Sequence, residues 1–255
     1  MYTFEVIIRM AMKRFFWILG LVAGLTAYPL QAQQSFASIS FGAVLPQGSY
    51  ASTDGLDDSG YARTGGAIKF DAAYFPVSYV GIGGTFSFGS NFAYRDSLLQ
   101  DMILYVEENA SSVIDIPEDA EILYGSGFWN YINLFVGPNF SVRPAQRLYF
   151  DFRVLAGGTI LRAPDQELSI NFDGTEIYSQ TSRNKLAFGF TAGAGMRFRL
   201  NSALAFRLAA DYFQSRAKFE YTFDLLQGVA GEVPPITSEC PGRTVEISLG
   251  LAYSF

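Results

Sequence analysis

Eight stretches of the chain alternate large apolar residues with small or polar ones at a period of two. The clearest is 244–255. Val245, Ile247, Leu249, Leu251, Tyr253 and Phe255 share one parity there, and Thr244, Glu246, Ser248, Gly250, Ala252 and Ser254 share the other. Residues 186–200 repeat the pattern, with Leu186, Phe188, Phe190, Met196, Phe198 and Leu200 set against Gly189, Thr191, Gly193, Gly195, Arg197 and Arg199. Shorter or less regular versions occupy 36–45, 67–74, 80–88, 128–142, 148–160 and 204–212. Alternation of this kind predicts β-strands with one wholly apolar face. Pro138 falls inside the fourth stretch, where a proline removes a ladder donor, so a bulge or strand end is expected near it.

The connections alternate as well. Short turns are predicted around Pro76, at 143–147 and at 201–203, and long polar stretches at 47–64, 95–127, 162–183 and 224–242. An even number of strands with short turns at one end and long loops at the other is the pattern of an up-and-down barrel in a membrane. The expected fold class is therefore all-β: an eight-stranded antiparallel transmembrane β-barrel with short periplasmic turns and four long extracellular loops. A soluble, lipocalin-like barrel is the structural rival, with its apolar face inside. Eight strands enclose room for little more than their own side chains, and the large Phe and Leu set would overfill it. The small and charged parity fits the inside and the large apolar parity fits lipid. Tyr74, Tyr79, Tyr149, Tyr212 and Tyr253 fall near predicted strand ends, as interfacial aromatic girdles do.

The start of the chain reads differently. Lys13 and Arg14 precede an apolar run over 15–25, and 27–32 ends in small residues. This is the layout of a secretory signal, too short for a comfortable membrane-spanning helix. The basic pair directly after Met12 makes Met12 the expected start. The domain organisation is then an extension plus signal over 1–32 and a barrel domain over 33–255.

Composition narrows the chemistry. Charged residues make up 16% and aromatic residues 16% of the chain, a balance that suits a sheet facing lipid. A net charge of −6 argues against nucleic acid as a partner. One cysteine, Cys240, excludes an intrachain disulfide framework, and the absence of histidine removes the commonest general base and a common metal ligand. No cofactor, metal or catalytic residue is expected, and the chain reads as a non-enzyme. Gly125-Ser126-Gly127 lacks the strand–turn–helix setting of a nucleophile elbow, and Asn109-Ala110-Ser111 matches an N-glycosylation acceptor in form.

With its even strand count and the ending Leu249-Gly-Leu-Ala-Tyr-Ser-Phe255, the chain resembles the small eight-stranded outer-membrane barrel proteins of the OmpA/OmpX type. The resemblance covers nearly all of 33–255. It implies the cell outer membrane, contact with its lipid and lipopolysaccharide, and delivery by the barrel-assembly machinery, with Tyr253 and Phe255 as the assembly signal. It implies no particular activity.

Two groups of residues remain as candidate sites. The inward parity carries Lys69, Asp71, Asp151, Arg153, Arg197, Arg199, Arg207, Asp211 and Glu246. Charges in a narrow lumen must pair, so these are expected to form a plug of salt bridges. The short turn at 201–203 sets Arg197 opposite Arg207, with Asp151, Asp211 or Glu246 expected between them. The second group is the acidic stretch Asp96, Asp101, Glu107, Glu108, Asp115, Glu118, Asp119 and Glu121, which contains no Lys or Arg from 96 to 125. Within it, 97–106 has helical spacing and Asp96 or Ser97 as a cap. This loop is the candidate surface for an extracellular ligand. Two functions follow: envelope integrity or surface binding and adhesion through the long loops, or a narrow gated channel for ions or small solutes, for which the inward glycines leave space.

Overall fold

A computed structural model describes residues 35–56, 59–110, 121–164, 166–172, 175–181, 184–225, 236–240 and 242–255. The predicted signal, and Asp115, Glu118 and Asp119 of the acidic stretch, lie outside the described residues. The elements are β1 (Phe36–Pro46), β2 (Ala62–Val77), β3 (Val80–Ala93), α1 (Arg95–Ala110), β4 (Glu121–Ser126), β5 (Trp129–Ala145), β6 (Leu148–Arg162), β7 (Gln166–Phe172), β8 (Thr175–Thr181), β9 (Asn184–Arg199), β10 (Leu204–Ser215), β11 (Ala217–Leu225), β12 (Ile236–Cys240) and β13 (Arg243–Ser254).

Eight of the strands close on themselves in the order β1-β13-β10-β9-β6-β5-β3-β2. All neighbours run antiparallel, and β1 pairs with both β2 and β13, so the wall has no free edge. Closure satisfies the backbone donors and acceptors that an open edge would leave bare in lipid. Each wall strand coincides with one of the alternating stretches to within a residue or two, except that β2, β3 and β10 run on three to five residues further at the long-connection end and β2 and β5 three further at their turn ends.

The alternation sets the two faces. Phe41, Ile82, Leu134, Leu186, Phe188 and Leu249 are among many large apolar side chains exposed on the outside, while Ser40, Lys69, Ser87, Asn133, Arg197 and Arg207 are buried within. A soluble protein does not present so continuous an apolar surface to water. This inside-out distribution is that of a barrel embedded in lipid. Among the described residues no helix is long and apolar enough to cross a membrane.

Several details differ from the sequence expectations. No bulge forms at Pro138. β5 runs through it in constant register against β3, and its ladder to β6 skips Gly137 and Pro138 without a shift, where the proline has no N–H to give. The irregularities fall near strand ends instead, at Ala62/Gly65, Tyr74/Val77 and Val142/Ala145. The long connections are not simply loops. β4, β7, β8, β11 and β12 form a second sheet in the order β12-β11-β8-β7-β4. These strands pair with one another and not with the wall, so no lipid-facing alternation marks them in the sequence. The helix expected at 97–106 is present as the longer α1, with Leu98 buried and its N–H donating to the Tyr94 carbonyl at 3.2 Å. Cys240 ends β12, opposite Ala217. Tyr149 is not part of a girdle: it is 1% exposed and faces the lumen, whereas Tyr79, Tyr212 and Tyr253 face outward.

Candidate functional site

The lumen is built in layers, from the tight-turn end to the long-connection end. The lowest is a small apolar floor of Phe36, Ala73, Phe75, Ala205 and Ala252. The guanidinium of Arg197 stacks 3.9 Å from the centre of the Phe36 ring, and that of Arg207 lies 5.3 Å from the same ring. The strand register sets Arg207 directly opposite Arg197, as the short turn requires. No carboxylate bridges the two, contrary to expectation: each has its own acid, and the shared neighbour is the face of Phe36, whose π-cloud attracts both cations.

Above the floor sit two neutral charge clusters. In the first, Asp151 accepts both Nε and Nη2 of Arg197, at 2.6 and 2.8 Å, and the Ser141 hydroxyl at 2.7 Å. The second has six members. Asp71 accepts from Arg207, from the Thr85 hydroxyl and, at 2.6 Å, from Arg153 Nη1. Arg153 reaches across to Asp211 through Nε and Nη2, at 2.8 and 2.6 Å. Lys69 Nζ donates to Asp211 at 2.7 Å and lies 2.7 Å from Glu246 Oε1. The Lys69–Glu246 contact is an ion pair by distance, but its angles do not make it a hydrogen bond, and Oε1 has no other donor.

Eight of the nine sequence-predicted lumen charges therefore come together: Lys69, Asp71, Asp151, Arg153, Arg197, Arg207, Asp211 and Glu246. Arg199 does not. Its parity is right but its height is wrong. It sits at the turn, only partly buried, donating to the carbonyl of Ser202 at 2.8 Å and to the hydroxyl of Tyr149 at 3.1 Å. Leaving it out changes the balance from a slight basic excess to four cations against four anions. An unpaired charge at these depths would cost several kcal/mol, and matched sums are what a dry lumen requires.

Glycine shapes this layer. A Cβ on Gly193 would fall 1.8 Å from Asp211 Oδ1, and one on Gly83 would fall 2.5 Å from Asn139 Nδ2. The space that inward glycines leave is taken by neighbouring side chains, so it does not add up to a path.

Next comes a cavity of about 20 Å³, bordered by Lys69, Asp211, Glu246 and Asn133 below and by Phe135 and Phe213 above; it has room for about one water molecule. Over it lies an aromatic layer that the sequence reading missed. Phe135, Leu155 and Phe213 pack together, and Phe213 stacks on both Tyr131 and Phe135, with centroids 6.0 and 5.8 Å apart. Trp129 closes the mouth. Its ring meets Tyr50 and Phe219 edge-on, at 5.4 and 5.3 Å, and its indole N–H donates to the Gly60 carbonyl at 2.7 Å. Trp129, Tyr131, Phe135 and Phe213 occupy inward positions of their wall strands, so parity alone could have found them.

Outside the lumen, Tyr253 and Phe255 stand exposed on the lipid side with their rings 6.5 Å apart. In the acidic stretch, Asp96 is exposed in the first turn of α1, and Asp101 accepts a hydrogen bond from Tyr61. Asp101 is thus committed to anchoring the helix at the rim. Glu107 and Glu108 belong to α1 and Glu121 to β4. Among the described residues no three His, Cys, Asp or Glu side chains converge as metal ligands would.

No family model and no curated protein matches the chain. Solved structures similar to it include a major outer membrane protein from Thermus thermophilus (13% identity, TM-score 0.47, covering 87% of this chain and 99% of that one). Others are the Neisserial surface protein A (10%, TM-score 0.40, covering 87% and 97%) and Ail, the attachment invasion locus protein of Yersinia pestis, in complex with a heparin analogue (14%, TM-score 0.39, covering 87% and 99%). At such identities and scores nothing about ligand or activity passes from them to this chain.

Proposed function

We propose that the chain is a bacterial outer-membrane barrel whose lumen is a structural plug and whose work is done at the long-connection end, as a surface-binding or envelope-integrity protein. The observation that carries this is the double closure of the lumen, by a neutral eight-charge network and by the Phe135–Leu155–Phe213 layer above it. A conduit would need both to part together. What remains to carry function is the outer wall and, at the long-connection end, the helix α1 and the second sheet. The reading is non-enzymatic: the lumen charges are spent on one another, and the chain has no histidine to activate a hydroxyl. Tyr253 and Phe255, outward on the tight-turn side, are placed to be read by an assembly machinery from the periplasm.

Two measurements test this. The protein should fractionate with the outer membrane and migrate differently on gels before and after heating. In planar bilayers it should show no single-channel steps. Recovery in the soluble periplasmic fraction would sink the membrane assignment, and steady conductance would replace the plug with the narrow-channel reading.

A further inference from the structure

The acids of the wall strands are all used inside the lumen, and this leaves cations in excess at the tight-turn end. Asp71, Asp151, Asp211 and Glu246 are buried and paired with Arg153, Arg197, Arg207 and Lys69. The tight turns and the strand ends beside them carry Arg143, Arg147 and Arg199. One further acid stands at this end, the terminal carboxylate of Phe255, whose backbone N–H donates to the Ser35 carbonyl at 3.1 Å. In the wall order β10 separates its strand from β9. Arg143 and Arg147 are exposed, and neither has a carboxylate partner among the described residues.

The fold sets the direction of these arginines. They continue the inward parity of their strands, the parity of Ser141 on β5, Tyr149 on β6 and Arg197 on β9. The β5–β6 ladder is irregular between Val142 and Ala145, so Arg143 and Pro144 oppose the single residue Tyr149. An extra residue in one strand re-aims a side chain. Here it lays the Arg143 guanidinium 5.3 Å from the centre of the Tyr149 ring. Arg199 donates from its side chain to the Tyr149 hydroxyl at 3.1 Å and from its backbone N–H to the Arg147 carbonyl at 2.8 Å. Arg147 and Arg199 therefore stand side by side on neighbouring strands. Tyr149 is buried, and Arg197 lies 5.0 Å from its centre. The cations thus gather around one fixed ring at the tight-turn mouth of the lumen, on the parity that turns away from lipid. Like charges side by side are destabilising, and for Arg143 and Arg147 no described acid offsets that.

We infer that this patch docks an extended acidic peptide of a periplasmic partner, with its carboxylates on Arg143 and Arg147 and with Tyr149 and Arg199 holding the patch in shape. The planar fork of a guanidinium matches a carboxylate. The turns are short and do not project, so a partner must reach the level of the wall end, which a slender segment does more readily than a folded surface or a rigid polymer. Inward parity sets the patch apart from the lipid headgroups. The inference concerns the end opposite to the one given the main work above, and rests on that reading only for the orientation that puts the tight turns in the periplasm.

The test is binding of a fluorescent polyglutamate peptide to the full barrel in detergent, read by anisotropy. The peptide should bind at low salt and let go as salt is raised, and a serine–glycine peptide of the same length should not bind. The R143Q/R147Q variant should bind polyglutamate about tenfold more weakly. An R63Q/R162Q variant, which removes as many charges from exposed positions at the opposite rim, should bind as the unaltered protein does. Heat-modifiable migration checks that each variant is folded. Failure of the unaltered protein to bind polyglutamate would overturn the inference whatever the variants do. So would an equal loss in the two double variants, displacement of the peptide by an equal concentration of phosphatidylglycerol in the micelle, or binding of cell-wall fragments that polyglutamate does not compete away. Orientation is read separately. In Cys240→Ser protein, Gln146→Cys should react with an impermeant thiol reagent only after the outer membrane is opened; reaction in intact cells would overturn the periplasmic placement alone.

Discussion

The lower and upper halves of the lumen close the same narrow space by different physics. Below, Asp71 and Asp211 are shared among Arg207, Arg153 and Lys69, and every charge depends on a partner supplied by another strand. Above, Tyr131, Phe135, Leu155 and Phe213 fill the cross-section by packing. A packed layer weakens by degrees when a side chain is trimmed. A neutral charge network does not, because removing one member leaves the opposite charge buried and unpaired. The contrast teaches where this barrel is brittle and where it is tolerant.

The sharpest way to break the comparison is Asp71→Ala. It takes from Arg207 its carboxylate and from Arg153 one of two, and the folded form should lose about 5 kcal/mol, seen as loss of heat-modifiable migration or a large fall in the urea midpoint. A fall no larger than that of an aromatic truncation would mean that water enters and solvates the network. Next comes Phe213→Ala, which removes a ring from the centre of the upper layer and should cost about 3 kcal/mol by the same midpoint. The paired variant Phe135→Ala/Phe213→Ala should still show no steps in planar bilayers, since the lower closure remains; conductance from it would make the aromatic layer the true seal. Glu246→Ala should be milder, about 1 kcal/mol, because Lys69 keeps its aligned bond to Asp211. A loss as large as that of Asp71→Ala would show that Lys69 leans on Glu246 more than the geometry suggests. The smallest effect is Arg199→Ala, within about 0.5 kcal/mol, since it is half-exposed and pairs with no lumen carboxylate, its backbone partners being carbonyls of the turn.

These differences in importance follow from height and from contacts across the lumen, and that is also the limit of what could be read from the chain. The wall strands were legible because lipid on one side and a narrow lumen on the other force large and small residues into strict alternation, as in β13. The lumen charges were legible as a set for the same reason. Their pairing was not. Register identifies neighbours such as Arg197 and Arg207, but Asp71 reaches Arg207 from the other side of β1 and β13, and no local pattern records that. Arg199 shows the same limit along the axis, since parity gives the face and not the depth. The inward aromatics were overlooked because a polar parity was expected to be polar throughout. The second sheet was hidden because its strands answer to each other and not to lipid.

The seam between β1 and β13 has a consequence for timing. Phe36↔Ser254 and Pro46↔Thr244 join the first wall strand to the last, and Lys69 meets Glu246 beside that seam. Until the seam zips, β1 and β13 each present a bare edge, and Lys69 lacks both of its acids, Asp211 and Glu246, which lie beyond it. Contacts this distant along the chain form late. The interior cannot be completed strand by strand; it becomes self-consistent at the moment of closure, which makes insertion of this protein an all-or-none event with no stable half-barrel on the way.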